Sequence, residues 1–231
     1  MAPGHVAVRR STDFGRTWSK PEVIQPYIDW NLSASGLVYV PKPDRFVGLL
    51  CSAKGAGIGP KFQNAETSRW LLGERNGTAW SVTPKGTNKP ERHSSGNSQG
   101  MGMRLTSGPH AGRLLISLRH FWTDERSERE QGNVVLFSDD DGATWQLGEP
   151  FARNAGSELG TAETSDGRLY GTMRNHEKGH WKTPRTVARS EDGGRTWIDV
   201  GPGGPFNTTW TNGDVERFPR AMLPQRGRYS P

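Results

Sequence analysis

The chain has 231 residues and a single cysteine, Cys51, so no internal disulfide can form. No apolar stretch approaches the length of a membrane-spanning helix. The opening MAPGHVAVRR carries none of the apolar core that a secretory leader needs. Lysine and arginine are scattered, without the dense run that marks a nucleic-acid-binding tail. Hydrophobic residues make up only 32% of the chain, and the mean hydropathy is −0.77. Within these 231 residues there is thus no internal disulfide, no segment of membrane-spanning length and no polybasic run. Cys51 lies in the apolar run RFVGLLCSA and reads as a small core residue.

What is abundant points elsewhere. Thirty glycines and sixteen prolines accompany nine tryptophans. Disordered chains are poor in aromatics. Turn-rich and aromatic-rich composition fits many short strands with few helices. The net charge of +6 fits plain solubility, an anionic small ligand or a polyanion. With no basic run, we expect no nucleic acid among the partners.

One turn recurs. RSTDFGRTW (Arg10–Trp18), FSDDDGATW (Phe137–Trp145) and RSEDGGRTW (Arg189–Trp197) share a hydroxyl residue, an acid, a glycine, a threonine and a tryptophan. ERNGTAW, ending at Trp80, reads as a degenerate copy, and the four tryptophans are then spaced by 62, 65 and 52 residues. That approaches the roughly 40–50 residues of a four-stranded propeller blade with generous loops. Strand-like runs lead into the turns (HVAVRR, NVVLF, RTVAR), and strands starting at the tryptophan lead out. Hairpins follow in GLVYVPKPDRFVGLL, GMRLTSGPHAGRLLISLRH and GTAETSDGRLYGTMRN. We read an all-β chain of four-stranded antiparallel blades around an axis, in preference to a β-sandwich, which does not repeat one turn at blade spacing. Asp, Ser and Thr close such turns on themselves, Gly supplies positive φ, and Trp anchors the turn against its own blade. DDDG at Asp139–Gly142 lacks the bidentate Glu of a calcium loop, so the turns read as structural, without metal.

S-x-D-x-G-x-T-W at Ser11–Trp18, Ser138–Trp145 and Ser190–Trp197 resembles the Asp-box (BNR) repeat of sialidases. GSELGTAETSDGRLYGTMRN (Gly156–Asn175) resembles the sialidase segment in which a glutamate precedes a strand ending in arginine. QGMGMRLTSGPHAGRLLIS (Gln99–Ser117) and NGDVERFP (Asn212–Pro219) are similar to the flanking segments of those enzymes. The resemblance implies a six-bladed propeller that removes terminal sialic acid with retention, using neither metal nor organic cofactor. It implies three arginines on the substrate carboxylate, a tyrosine nucleophile with a glutamate partner, and an aspartic acid/base. Sialidases depart from other retaining glycosidases in using tyrosine. Tyrosine titrates near 10 and needs a base beside it, and guanidinium forks suit a carboxylate.

Carried over, Glu158 matches the glutamate that activates the tyrosine, in the loop before a blade's first strand. Arg174 matches the second arginine of the clamp, at the end of the second strand. Arg119 stands six residues after Arg113, as Arg174 stands six after Arg168, so Arg119 or His120 is a further candidate for the same funnel. The remaining arginines, the acid/base and the nucleophile find no match, and Tyr229 lies too close to NGDVERFP to serve. We therefore expect a single domain over 1–231, about four blades of an expected six, incomplete at both termini and inactive by itself. A closed four-bladed ring is the alternative. The expected partners are sialylated glycans or another acidic sugar. A non-catalytic acidic-glycan-binding propeller and a structural Asp-box protein remain as rival functions.

Overall fold

The computed structural model describes residues 6–25, 30–54, 67–76, 79–87, 94–96, 102–123, 129–151, 157–175 and 184–207. The described residues are all strand, turn and loop. β1 (Val6–Val8) pairs with β2 (Glu22–Gln25). β3 (Trp30–Val40), β4 (Arg45–Lys54), β5 (Thr67–Asn76) and β6 (Ala79–Thr87) form a four-stranded antiparallel meander, blade B. Blade C follows, and its first strand is in two pieces. β7 (Ser94–Gly96) and β8 (Gly102–Arg104) both pair with β9 (Leu114–Thr123), which continues into β10 (Arg129–Ser138) and β11 (Gln146–Leu147). Blade D is β12 (Ser157–Glu163), β13 (Leu169–Arg174), β14 (Pro184–Ser190) and β15 (Ile198–Asn207).

The apolar runs LLI and VVLF explain how blade C is held. Short continuous apolar runs mark strands buried on both faces. Side chains alternate along a strand, and here both sets find a neighbour. Leu114, Ile116, Val134 and Leu136 pack with Val38, Val40 and Val47 of blade B. Leu115, Val135 and Phe137 pack with Phe151, Leu159, Leu169, Met173 and Ala188 on the side of blade D. Each such fully buried side chain contributes about 1.5–3 kcal/mol.

The Asp boxes of blades C and D join third strand to fourth, and the first box joins β1 to β2. In each, a serine hydroxyl, a threonine hydroxyl and one carboxylate close the turn. Ser138 Oγ donates to Asp140 at 2.7 Å and accepts from the amide of Gly142 at 2.8 Å. Thr144 gives its amide and its hydroxyl to the two oxygens of Asp140, at 2.8 and 2.6 Å. The same pattern recurs at Ser190, Asp192 and Thr196, and at Ser11, Asp13 and Thr17. The box glycines Gly15, Gly142 and Gly194 have φ of +84°, +89° and +89°, which only glycine adopts freely. Hydrogen bonds led by the Thr17 hydroxyl hold Asp13 at about 2. Burial would raise Asp140 and Asp192, but the threonine and serine hydroxyls and the turn amides outweigh it and hold both below the ordinary range.

Three expectations about these turns change. Trp145 and Trp197 do not rest on their own blade alone. Trp145 packs on the cluster shared by blades B and C, and Trp197 on the one shared by C and D, with its ring 4.8 Å from Phe151. ERNGTAW does join a third strand to a fourth, but not as a box. β5 and β6 stay paired down to Asn76 and Ala79, and Trp80 lies in the ladder opposite Arg75. A box instead separates Ser138 from Gln146 and Ser190 from Ile198. The strand after the first box also starts late, at Glu22 rather than at Trp18.

Blades are stapled along the box rim. Arg45, at the head of β4, donates to the carbonyl of Asp141 in the box of blade C at 2.7 Å. Arg113, just before β9, donates to the carbonyls of Asp192 and Gly193 in the box of blade D at 2.8 and 3.1 Å. Its other nitrogens hold Asp139 of its own blade, and its plane lies 4.5 Å from the ring centre of Phe137. On the same rim the buried Glu163 accepts from the amides and hydroxyls of Thr106 and Ser107 of blade C. The turns bearing Gly108 and Gly167 meet so closely that a Cβ on Gly167 would stand 2.7 Å from the Cα of Gly108.

Candidate functional site

The register of blade D separates its two ends. Leu169 of β13 pairs with Ser190, the first residue of the box. Arg174 ends the same strand, so it lies about 15 Å or more from the box rim at ~3.3 Å per residue. Ser157 pairs with Arg174, Leu159 pairs with Met173, and Glu158 is bulged out between them. Glu158 therefore lies inside β12 rather than in the loop before it, which corrects the expectation from sequence. Its φ is +63°, in the left-handed region. A non-glycine residue there costs roughly 1–3 kcal/mol and persists only where its surroundings enforce it. Bulges re-aim side chains, and this one turns the Glu158 carboxylate onto Arg174. Nη1 of Arg174 reaches both carboxylate oxygens, at 2.8 and 2.9 Å. Both side chains are mostly buried, with 17% and 15% of their surfaces exposed.

A third charged group adjoins the pair. Arg185, near the start of β14, is only 7% exposed. Its Nε donates to Thr172 Oγ1 at 2.9 Å, and Nη2 makes long contacts of 3.4 Å with the carbonyls of Thr172 and Glu158. Burial lowers its affinity for a proton, the charge of Glu158 raises it, and that of Arg174 lowers it again. The three side chains thus sense one another's charge. Arg185 was not singled out from sequence. Its neighbours Thr186 and Val187 pair with Met173 and Thr172, which sets Arg185 beside the Arg174 end of β13, a placement that RTVAR alone does not show.

Arg119 is placed by its backbone, and its side chain and that of His120 lie outside the described ones. Leu114 of β9 pairs with Ser138 as Leu169 of β13 pairs with Ser190. Arg119 and Arg174 are each five residues further along. The two arginines therefore hold equivalent positions in successive blades. Ser117 Oγ of β9 also lies 3.3 Å from Thr161 Oγ1 of β12, so the strand of Arg119 runs beside the strand of Glu158. Cys51 lies in β4 opposite Ser33 and Ser68, with its side chain outside the described ones. Tyr229 and the segment Asn212–Pro219 lie outside the described residues.

Comparison with known proteins decides the family. The BNR repeat-like domain family matches residues 55–214, and a BNR/Asp-box repeat matches residues 9–20. The chain belongs to the BNR repeat-like family. This BNR chain is 30% identical over 217 residues to a sialidase of Micromonospora viridifaciens, covering 86% of the chain and 32% of that protein. It thus spans about a third of the curated relative's length. Among solved structures, a Hadza microbial sialidase superposes with a TM-score of 0.60 at 22% identity, over 84% of this chain and 39% of the other. The intramolecular trans-sialidase of Ruminococcus gnavus superposes with a TM-score of 0.61 at 16% identity, over 88% and 65%. The BNR chain has the fold of the sialidase propeller, built from four-stranded antiparallel sheets with Asp-box turns.

Proposed function

We propose that this chain carries part of the sugar-binding site of an exo-α-sialidase, a retaining glycoside hydrolase that releases terminal sialic acid. The observation that carries the reading is the Glu158–Arg174 pair, held at the end of a hairpin away from the Asp boxes. In this reading Arg174 binds the carboxylate of the sugar, which a planar guanidinium does well. Glu158 is the base that draws the proton from a tyrosine nucleophile, a hydroxyl too weakly acidic to react unaided near neutral pH. Arg119 lines the same opening one blade earlier. The left-handed backbone of Glu158 supports the reading, because strain of this kind is held where a side chain must point in one direction. The 30% identity to a bacterial sialidase supports the same substrate class.

The test is a titration of the chain with N-acetylneuraminic acid, followed by nuclear magnetic resonance. Saturable shifts centred on blade D, abolished by Arg174→Ala, support the proposal. Shifts that survive Arg174→Ala, or no shifts, refute it. A fluorogenic sialoside then separates enzyme from binding module: turnover lost in Glu158→Gln identifies the enzyme, and binding without turnover identifies the module.

A further inference from the structure

The seams between blades B and C and between blades C and D follow one rule. The arginine at the head of a blade's second strand donates to carbonyls of the next blade's Asp box: Arg45 to Asp141, and Arg113 to Asp192 and Gly193. Two residues further on, the buried Val47 and Leu115 receive the box glycine. A Cβ on Gly142 would stand 3.1 Å from Val47, and one on Gly194 would stand 3.6 Å from Leu115. The box tryptophan, Trp145 or Trp197, packs on the cluster that the two blades share. Blade D carries the donor half of a third such seam. Arg168 is the equivalent of Arg45 and Arg113, and its guanidinium holds Asp166 and Glu191 of its own blade. Tyr170, two residues on, is 38% exposed and stands in one row of the ladder with Arg189 and the exposed Ile198. The first box carries the acceptor half. A Cβ on Gly15 would meet only Trp18 within 4 Å, and Trp18 itself is 54% exposed. Phe14 takes the box position of Asp141 and Gly193, shares their left-handed backbone, and is fully exposed. Blade D of the same chain therefore does not cover this box.

We propose that the two halves fit each other, so that the first Asp box of one copy of the chain docks on the outer face of blade D of a second copy. In that contact Arg168 turns from its own blade's acids to the carbonyls of Asp13 and Phe14. Gly15 settles on Tyr170, and Trp18 closes the seam. The occupant is a second copy because the seat on blade D repeats the one that both inner seams offer to an Asp box, and this chain presents such a box unseated. Aromatic residues are also what interfaces favour. The contact joins unlike surfaces head to tail, so it makes a ring where the rotation closes and a filament where it does not. It lies on the box rim and is independent of the sugar-site reading at Glu158 and Arg174.

Sedimentation velocity of the full chain, from about 1 to 100 μM, reads the association. The native chain should shift to larger species as its concentration rises. Phe14→Asp blocks the box with the residue that blade C carries at the same position, and Arg168→Glu blocks the seat on blade D. Each variant alone should associate about tenfold or more weakly. Mixed in equal amounts, the two should form a dimer and nothing larger. The intact blade D of the Phe14→Asp chain still takes the intact box of the Arg168→Glu chain. General stickiness of apolar surface, or a contact between like surfaces, is not restored by mixing. A native chain that stays monomeric overturns the inference, as does association that neither variant weakens, or a mixture no larger than its components. If either variant does not fold, Phe14→Gly and Arg168→Gln take their places, and the same outcomes decide.

Discussion

Replacing Arg113 by methionine keeps most of the side-chain volume and removes all the polar contacts of the staple between blades C and D. The carbonyls of Asp192 and Gly193, now bonded at 2.8 and 3.1 Å, are left without this donor. Each buried acceptor left unpaired costs about 1–3 kcal/mol, and the value falls toward the low end where water can enter. The bond to Asp139 adds little, because 52% of the aspartate side chain is exposed and such pairs contribute about 0–1 kcal/mol. The stacking on Phe137 at 4.5 Å adds about 1 kcal/mol. The expected loss is about 2–4 kcal/mol, read as a shorter baseline and lower midpoint in urea with little change in slope. In calorimetry it corresponds to a fall in Tm of roughly 4–16 °C for a chain of this size. Asp139→Asn separates the two halves of the staple. It touches only the contact within blade C and should cost less than about 1 kcal/mol. If Asp139→Asn is as damaging as Arg113→Met, or if Arg113→Met costs less than about 1 kcal/mol, then the bonds to the next blade's box do not hold the seam.

Two further outcomes follow from buried polar groups. Burial pushes Glu163 up, but the hydroxyls and amides of Thr106 and Ser107 prevail and hold it below its ordinary value of 4.5. Its stabilisation is therefore complete above that ordinary value and is lost as pH falls through the lower folded one. Glu163→Gln should cost about 1–3 kcal/mol at pH 7 and flatten the acid limb of a Tm-against-pH curve; an unchanged acid limb would count against the assignment. Asn133 has 0% of its surface exposed, and neither side-chain polar atom has a partner among the described residues. Asn133→Leu should then be neutral or stabilising by up to about 1 kcal/mol in urea titration; a loss above that would show a hidden partner.

Much of the blade plan could be read from residues alone. The box motif marks its own position as the turn between two paired strands, because its hydroxyls and carboxylate close that turn from within. The adjacency of Glu158 and Arg174 follows from the pairing of the hairpin that carries them. What escaped was whatever depends on strand register or on another blade. The bulge at Glu158 has no local signal, since φ of +63° on a glutamate is imposed by the mismatch of Ser157 and Leu159 with their partners. Trp80 was misleading because a tryptophan fits a ladder opposite Arg75 as well as it fits a box. Arg185 escaped because RTVAR sets an arginine at each end, and nothing local distinguishes the buried Arg185 from the exposed Arg189. The seats of Trp145 and Trp197 are shared clusters, visible only once the neighbouring sheets are in position.

The opposite ends of β13 meet very different fates under mutation. At one end Leu169 sits among Asp boxes, arginine staples and abutting turns, and at the other Arg174 meets Glu158. Changes at the first end should alter how much folded protein there is, and changes at the second should alter what it recognises. Few residues take part in both. Such a strand works as an insulator, and a deep mutational map of this chain should split into two sparse sets with little epistasis between them. Selection can then retune the rim bearing Glu158 while the stapled rim absorbs the destabilisation that such changes bring.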